Sequence, residues 1–155
     1  MKSAYRVLAY LMALEVLVQA GAIAYALFGL GAWIQSGGVL DKAAMESETT
    51  EFPGVSGFMV HGINGQMIVP VIAVLLLVVA FFAKVRGGVA LAGMVLGGVV
   101  VQVALGILGH SLPLLGWVHG IWAIFIFAAA LTAARRVESP SGVGTGTDRR
   151  AAGVA

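Results

Sequence analysis

Four apolar runs decide what this chain can become: roughly Val7–Ile34, Phe58–Ala83, Val89–Gly109 and Leu115–Ala134. A helix that crosses the hydrocarbon core of a bilayer needs about 20 mostly apolar residues, and each run supplies them. A soluble domain of 155 residues that is 60% hydrophobic and 10% charged could not bury so much apolar surface. The expected fold is therefore all-α, an integral membrane four-helix bundle over residues 1–137. The remainder, 138–155, is rich in Gly, Ser, Thr and charge and is expected to be a disordered tail. The first run also has marks of a signal peptide, with basic Lys2 and Arg6 and an Ala20-Gly21-Ala22 stretch like a cleavage site. Glu15 interrupts its apolar centre and the run continues to Ile34, so retention as a helix is expected. The chain has no cysteine, which excludes structural disulfides, thiolate metal ligands and cysteine nucleophiles.

Charge placement predicts the orientation. Of nine Lys and Arg, only Lys42 falls in the loop after the first run. The others flank the N-terminus, the turn between runs two and three, and the end of run four. The positive-inside rule then places both termini in the cytoplasm, with the loop Gln35–Gly57 and the short turn His110–Leu114 outside. Short connections at Lys84–Gly88 and His110–Leu114 make consecutive helices antiparallel neighbours, an up-down bundle. The expected location is a bacterial cytoplasmic membrane, crossed several times. The basic tail is read as a topology signal and anionic-lipid contact, with no nucleic-acid partner.

On this topology all three histidines fall near the outer leaflet. His61 enters early in the second helix, His119 early in the fourth, and His110 closes the third. Helical spacing gives each a stripe of neighbours: His61, Asn64, Gly65 and Ile68; Gly98, Gln102, Gly106 and His110; Gly116, His119, Gly120 and Ala123. Polar groups facing lipid are costly, so these stripes are expected to face one another. Glycine alone is explained by close helix packing, and Gly116/Gly120 form a GxxxG. Buried imidazoles need partners for both nitrogens, and a pair at matched depth suits a ligand held between them.

A b-type haem fits that arrangement, with His61 and His119 as axial ligands and Gln102 and His110 beside them. Gly62, Gly65, Gly116 and Gly120 would admit the macrocycle edges, and Met59, Met67, Trp122 and Phe125 would pack its faces. A zinc or copper site fits less well, because only three imidazoles are present and no carboxylate lies near them in sequence.

The segments Val101-Gln102-Val103-Ala104-Leu105-Gly106 and Leu115-Gly116-Trp117-Val118-His119, followed by Ala123 and Phe125, resemble the third and fourth helices of one half of a haem A synthase. That resemblance covers about 75 residues, helices two to four. It implies a four-helix half with His61 and His119 as paired haem ligands. Position 58 is Phe and position 62 is Gly, where the family carries a glutamate and often an arginine, and the outer-loop cysteine pair is absent. Those departures point to a haem-binding or electron-transfer subunit rather than an enzyme that oxidises a haem methyl group. The Gln19-Ala20-Gly21 segment is similar to small four-span bacterial proteins, which implies a fold and no function.

Glu15 and Gln19 share one face of the first helix, in its cytoplasmic half and apart from the histidines. An ionised carboxylate there costs about 2.5–3.5 kcal/mol. It is read either as a proton relay or substrate contact, or as a protonated acid bonded to Gln19. Pro70 is expected to kink the second helix, and the acidic stretch Met45–Phe52 to form a solvated loop. A lipid bilayer is the sure partner class; a larger membrane redox complex or a second copy of the chain are further expectations. Two other readings stay open: an accessory subunit whose histidines are interhelical hydrogen-bond groups, and a small carrier using Glu15.

Overall fold

The computed structural model describes residues 1–47 and 49–137. Glu48 and the tail 138–155, for which disorder was expected, lie outside the described residues. Helix α1 covers Lys2–Gln35 and a short α2, Lys42–Glu46, sits in the long loop. Helices α3 (Val55–Ile63) and α4 (Val69–Ala83) are joined end to end by a π-helical turn, Asn64–Ile68. Helices α5 (Gly88–Gly109) and α6 (Pro113–Arg136) follow. Four stretches are long and apolar enough to cross a membrane: Lys2–Gln35, Val55–Ala83, Gly88–Gly109 and Pro113–Arg136, here spans one to four.

Span one packs against spans two and four, and span three also packs against spans two and four. Spans two and four therefore stand diagonally across the molecule. At about 1.5 Å per residue, the 34 residues of span one reach about 51 Å, well beyond the ~30 Å hydrocarbon core. Its C-terminal end projects past span two. The junction is a close backbone approach, since a Cβ on Gly29 would run into the Pro53 carbonyl and one on Gly57 into the Ala22 carbonyl. Gly54 enters span two with φ 94°, a left-handed conformation that favours glycine.

The described acidic residues of the stretch Met45–Phe52, Glu46 and Glu51, are exposed, and local contacts brace the long loop around them. Asp41 Oδ1 accepts from the Ala44 N–H at 2.8 Å and caps α2. Thr50 Oγ1 donates to the Ala44 carbonyl at 2.9 Å. Phe52 stacks on Trp33 with ring centres 5.7 Å apart and meets Phe58 edge-on at 6.3 Å. These contacts tie the loop across the ends of spans one and two.

At Pro70 the expected kink takes the form of the π turn just before it. Proline lacks an N–H and its ring crowds the carbonyl four residues back. The Val69 N–H bonds instead to the Asn64 carbonyl, five residues back. That extra residue shifts the register. Ile68, expected on the inward stripe, is 49% exposed, and Val69 is 9% exposed in its place.

Burial divides the molecule along its length. Toward the Lys84–Gly88 turn the helices meet through small side chains: Ala9 and Ala13, Ala80 and Ala83, Ala92, Ala130 and Ala133. Tyr5, Met12, Leu76, Val95 and Val99 fill the space between them. The Tyr5 hydroxyl donates to the Gly88 carbonyl at 3.0 Å, tying the start of span one to the start of span three. Toward the long loop the inward positions carry polar side chains and glycine, and the packing opens.

Two substitutions test this packing. Tyr5→Phe is expected to lower stability by about 1 kcal/mol, the net worth of one such bond. Gly57→Val is expected to cost about 1–3 kcal/mol, because the helices must part to admit it. Denaturation in mixed micelles measures both.

Candidate functional site

His61 lies six residues after Val55 and His119 six after Pro113, where their helices begin. Equal setback brings the two imidazoles to one level from diagonal helices. Their ring centres are 6.0 Å apart and the planes are inclined at 67°. Both line a cavity of about 160 Å³ together with His110, Gln19, Gln66 and Gln102. Val16, Val69, Val99, Val103, Ile107 and Ile126 make its apolar walls.

Each imidazole is held by a backbone carbonyl from a neighbouring span. His61 Nδ1 lies 3.1 Å from the Gln19 carbonyl oxygen, and His119 Nδ1 lies 3.0 Å from the Gln102 carbonyl oxygen. A carbonyl can only accept, so Nδ1 of His119 carries its proton, whereas His61 Nδ1 stands between the Gln19 carbonyl and, at 2.9 Å, the Gln19 side-chain nitrogen. Gly106 makes the second contact possible, because even a Cβ there would stand 3.2 Å from His119 Cε1.

Gln102 meets His119 twice. Besides its carbonyl, its side-chain Nε2 donates to His119 Nε2 at 3.2 Å, while its Oε1 is buried with no hydrogen-bond partner. The row Gly98, Gln102, Gly106 thus faces span four as expected. Gly98 packs against Ile126, and its carbonyl accepts from Trp122 Nε1 at 2.9 Å. His110 lies just past the end of α5, on the rim of the cavity.

Span one supplies the other side, and here a sequence expectation is corrected. Glu15 and Gln19 are not apart from the histidines. Asn64 Nδ2 donates to Glu15 Oε2 at 2.7 Å. Gln19, with its amide oriented to satisfy both ends, accepts from the Gly65 N–H and from Asn64 Nδ2 at 3.1 Å each, and its nitrogen lies 2.9 Å from both the His61 carbonyl oxygen and His61 Nδ1. A Cβ on Gly65 would stand 3.1 Å from the Gln19 side-chain amide. Depth counted from Arg6 misplaced Glu15 because span one overshoots span two. Tyr25, which meets Gly54, and not Gln35, is level with the start of span two, which lowers the outer reference by about ten residues, about 15 Å.

Other expected site residues fall elsewhere. Gly116 and Gly120 are exposed, do not line the cavity, and have open space where a Cβ would stand. Gly116 nonetheless approaches span three through its backbone, since a Cβ on Gly109 would stand 3.2 Å from the Gly116 nitrogen. Met59 and Met67 are 60% and 64% exposed. Trp122 stacks on Phe125 at 4.9 Å, outside the cavity lining. Gln66 was not anticipated. In regular α-helical register it does not share the His61 stripe, and only the π turn brings it to the cavity.

Among the described residues no three His, Cys, Asp or Glu side chains gather in a way that holds a bare metal ion. Chemically, the site offers two imidazoles lining one space, a side-chain amide on each, and one carboxylate behind.

Gly106→Val is expected to push the His119 ring off the Gln102 carbonyl. Imidazole nitrogen chemical shifts would report the lost bond, with stability lowered by about 1–3 kcal/mol. Compared with protein-family models, curated proteins and solved structures, the chain matches none.

Proposed function

We propose that this chain is an up-down four-helix membrane protein, both termini cytoplasmic, that binds one b-type haem between spans two and four. His61 and His119 would be the axial ligands, and the role would be electron transfer or haem handling. One observation carries the reading: both Nδ1 atoms are tied to backbone carbonyls, at 3.1 and 3.0 Å, which orients each ring and leaves Nε2 for a ligand. Metal-bound histidines are held this way by their outer partners. Two imidazole nitrogens each about 2 Å from one ion place their ring centres about 6 Å apart, and the observed separation is 6.0 Å.

The surroundings fit in part as they stand. The cavity of about 160 Å³ is smaller than a macrocycle, so the edges must extend beyond it. Open space beside Gly62, Gly116 and Gly120, flanking the two histidines, gives room on that side. The Gln102 amide must leave His119 Nε2, and its unpartnered Oε1 lowers the cost of that movement. A bound haem supplies a one-electron iron couple. The protein's part is to hold the rings, exclude water and set the polarity around them.

The test is an absorption spectrum of the purified protein loaded with haem b. A Soret band is expected, lost in His61→Ala and in His119→Ala and kept in His110→Ala. No band in the unsubstituted protein overturns the reading.

The contact of Gln102 with both nitrogens of His119 favours a second reading, in which the histidines are interhelical hydrogen-bond groups of an accessory subunit. Gln102→Leu separates the two. Haem binding predicts a Soret band kept or strengthened. The structural role predicts a colourless protein destabilised by about 0.6–2 kcal/mol.

A further inference from the structure

The cavity has a side entrance. Helix α4 packs against α5, whereas α3, the half of span two that carries His61, packs closely against span one alone. Spans two and three therefore part from the π turn outward. Gln66 from span two and Ile107 from span three both line the cavity and are both exposed. In a bilayer such a gap faces hydrocarbon.

Three polar groups at this cavity lack partners. His61 is bonded through Nδ1 alone, and neither the Gln66 amide nor the His110 ring has a hydrogen bond among the described residues. Gln66 stands five residues beyond His61, about 7.5 Å further along span two. An amide without a partner at that depth is costly. The π turn that turns Gln66 to the cavity is a feature frequent at functional sites.

The walls state what would fit. None of the described lining residues is Asp, Glu, Lys or Arg, so a neutral ligand suits them. A volume of about 160 Å³ matches one six-membered ring; an apolar cavity of about 150 Å³ takes a single benzene. A neutral imidazole and a primary amide each both donate and accept. They suit a ring whose oxygens accept in one form and also donate in another, as quinone carbonyls and quinol hydroxyls do. Val16, Val99 and Val103 would pack the ring faces, and an apolar tail would leave through the gap.

We propose that this cavity binds the ring of a prenylated 1,4-quinone or its quinol, entered from the lipid between spans two and three. The proposal does not rest on the haem reading. It concerns the cavity as it stands, with Gln102 on His119, and needs neither side chain to move. A ring seated there and a haem bridging His61 and His119 exclude one another.

The test titrates the haem-free full chain, in nanodiscs of zwitterionic phospholipid, with a short-chain prenylated benzoquinone. Nitrogen chemical shifts of the histidine rings and glutamine amides report binding. Saturable shifts are expected at His61 and Gln66, and a prenyl alcohol of equal tail length, lacking the ring, is expected to leave them unmoved. Gln66→Leu is expected to weaken binding about tenfold, the loss of one hydrogen bond. Gln66 is exposed, so the fold does not depend on it. Val103→Phe, which fills the cavity, is expected to abolish binding, and its thermal melt tells a filled cavity from an unfolded chain. No saturable shift, equal shifts with the prenyl alcohol, or unchanged affinity in Gln66→Leu overturns the proposal. A Soret band on haem loading without quinone-induced shifts overturns this proposal alone, and saturable shifts without a Soret band overturn the haem reading alone.

Discussion

Two hydrogen bonds organise the polar half of this molecule: His61 to the Gln19 carbonyl and His119 to the Gln102 carbonyl. Each acceptor is a main-chain carbonyl on a helix, and a carbonyl oxygen has two lone pairs. It can keep its own helical bond and still receive an imidazole proton. In an apolar setting an unpaired N–H is costly, so the rings are fixed in direction by the helices beside them. Gly106 is placed to admit one of these rings, and both rings line the cavity.

The rest of the structure makes that seating possible by dividing the labour along the helices. One half is closed by alanine-to-alanine contact around Tyr5, Met12, Leu76 and Val95, with the Tyr5–Gly88 bond across it. Small residues let helices approach closely, and dispersion contacts then accumulate where lipid provides no hydrophobic drive. With that half rigid, the other half can stay open around a cavity without the helices collapsing into it. The loop stack Trp33–Phe52–Phe58 and the backbone approach at Gly29 hold the far end of spans one and two together.

Much of this was legible in residue spacing. Period-3.6 stripes found the Gly98–Gln102–Gly106 row, and the shared level of His61 and His119 followed from where the apolar runs begin. What failed were inferences that assumed uniform helices. Ile68 was placed inward by i+4 counting, which holds only without a π turn. Glu15 was set apart from the histidines by counting from one end of a helix longer than its neighbours. Spacing also paired Glu15 with Gln19, and His61 with Asn64, yet nothing in either stripe said that the two stripes meet. Of the GxxxG pair, Gly116 approaches Gly109 of span three through its backbone and Gly120 faces open space, a difference the motif does not show.

The sequence by itself determined the class of molecule: four helices apolar enough to cross a membrane, and the few polar side chains they carry. The reason is local, since run length and composition settle whether a segment can satisfy its backbone in an apolar medium. Only the tertiary structure decided which polar groups share a space. Partnership between helices depends on register, overhang and a single added residue in one turn, and these are fixed by packing among segments far apart in the chain, such as Gly29 on Pro53 and Gly106 on His119.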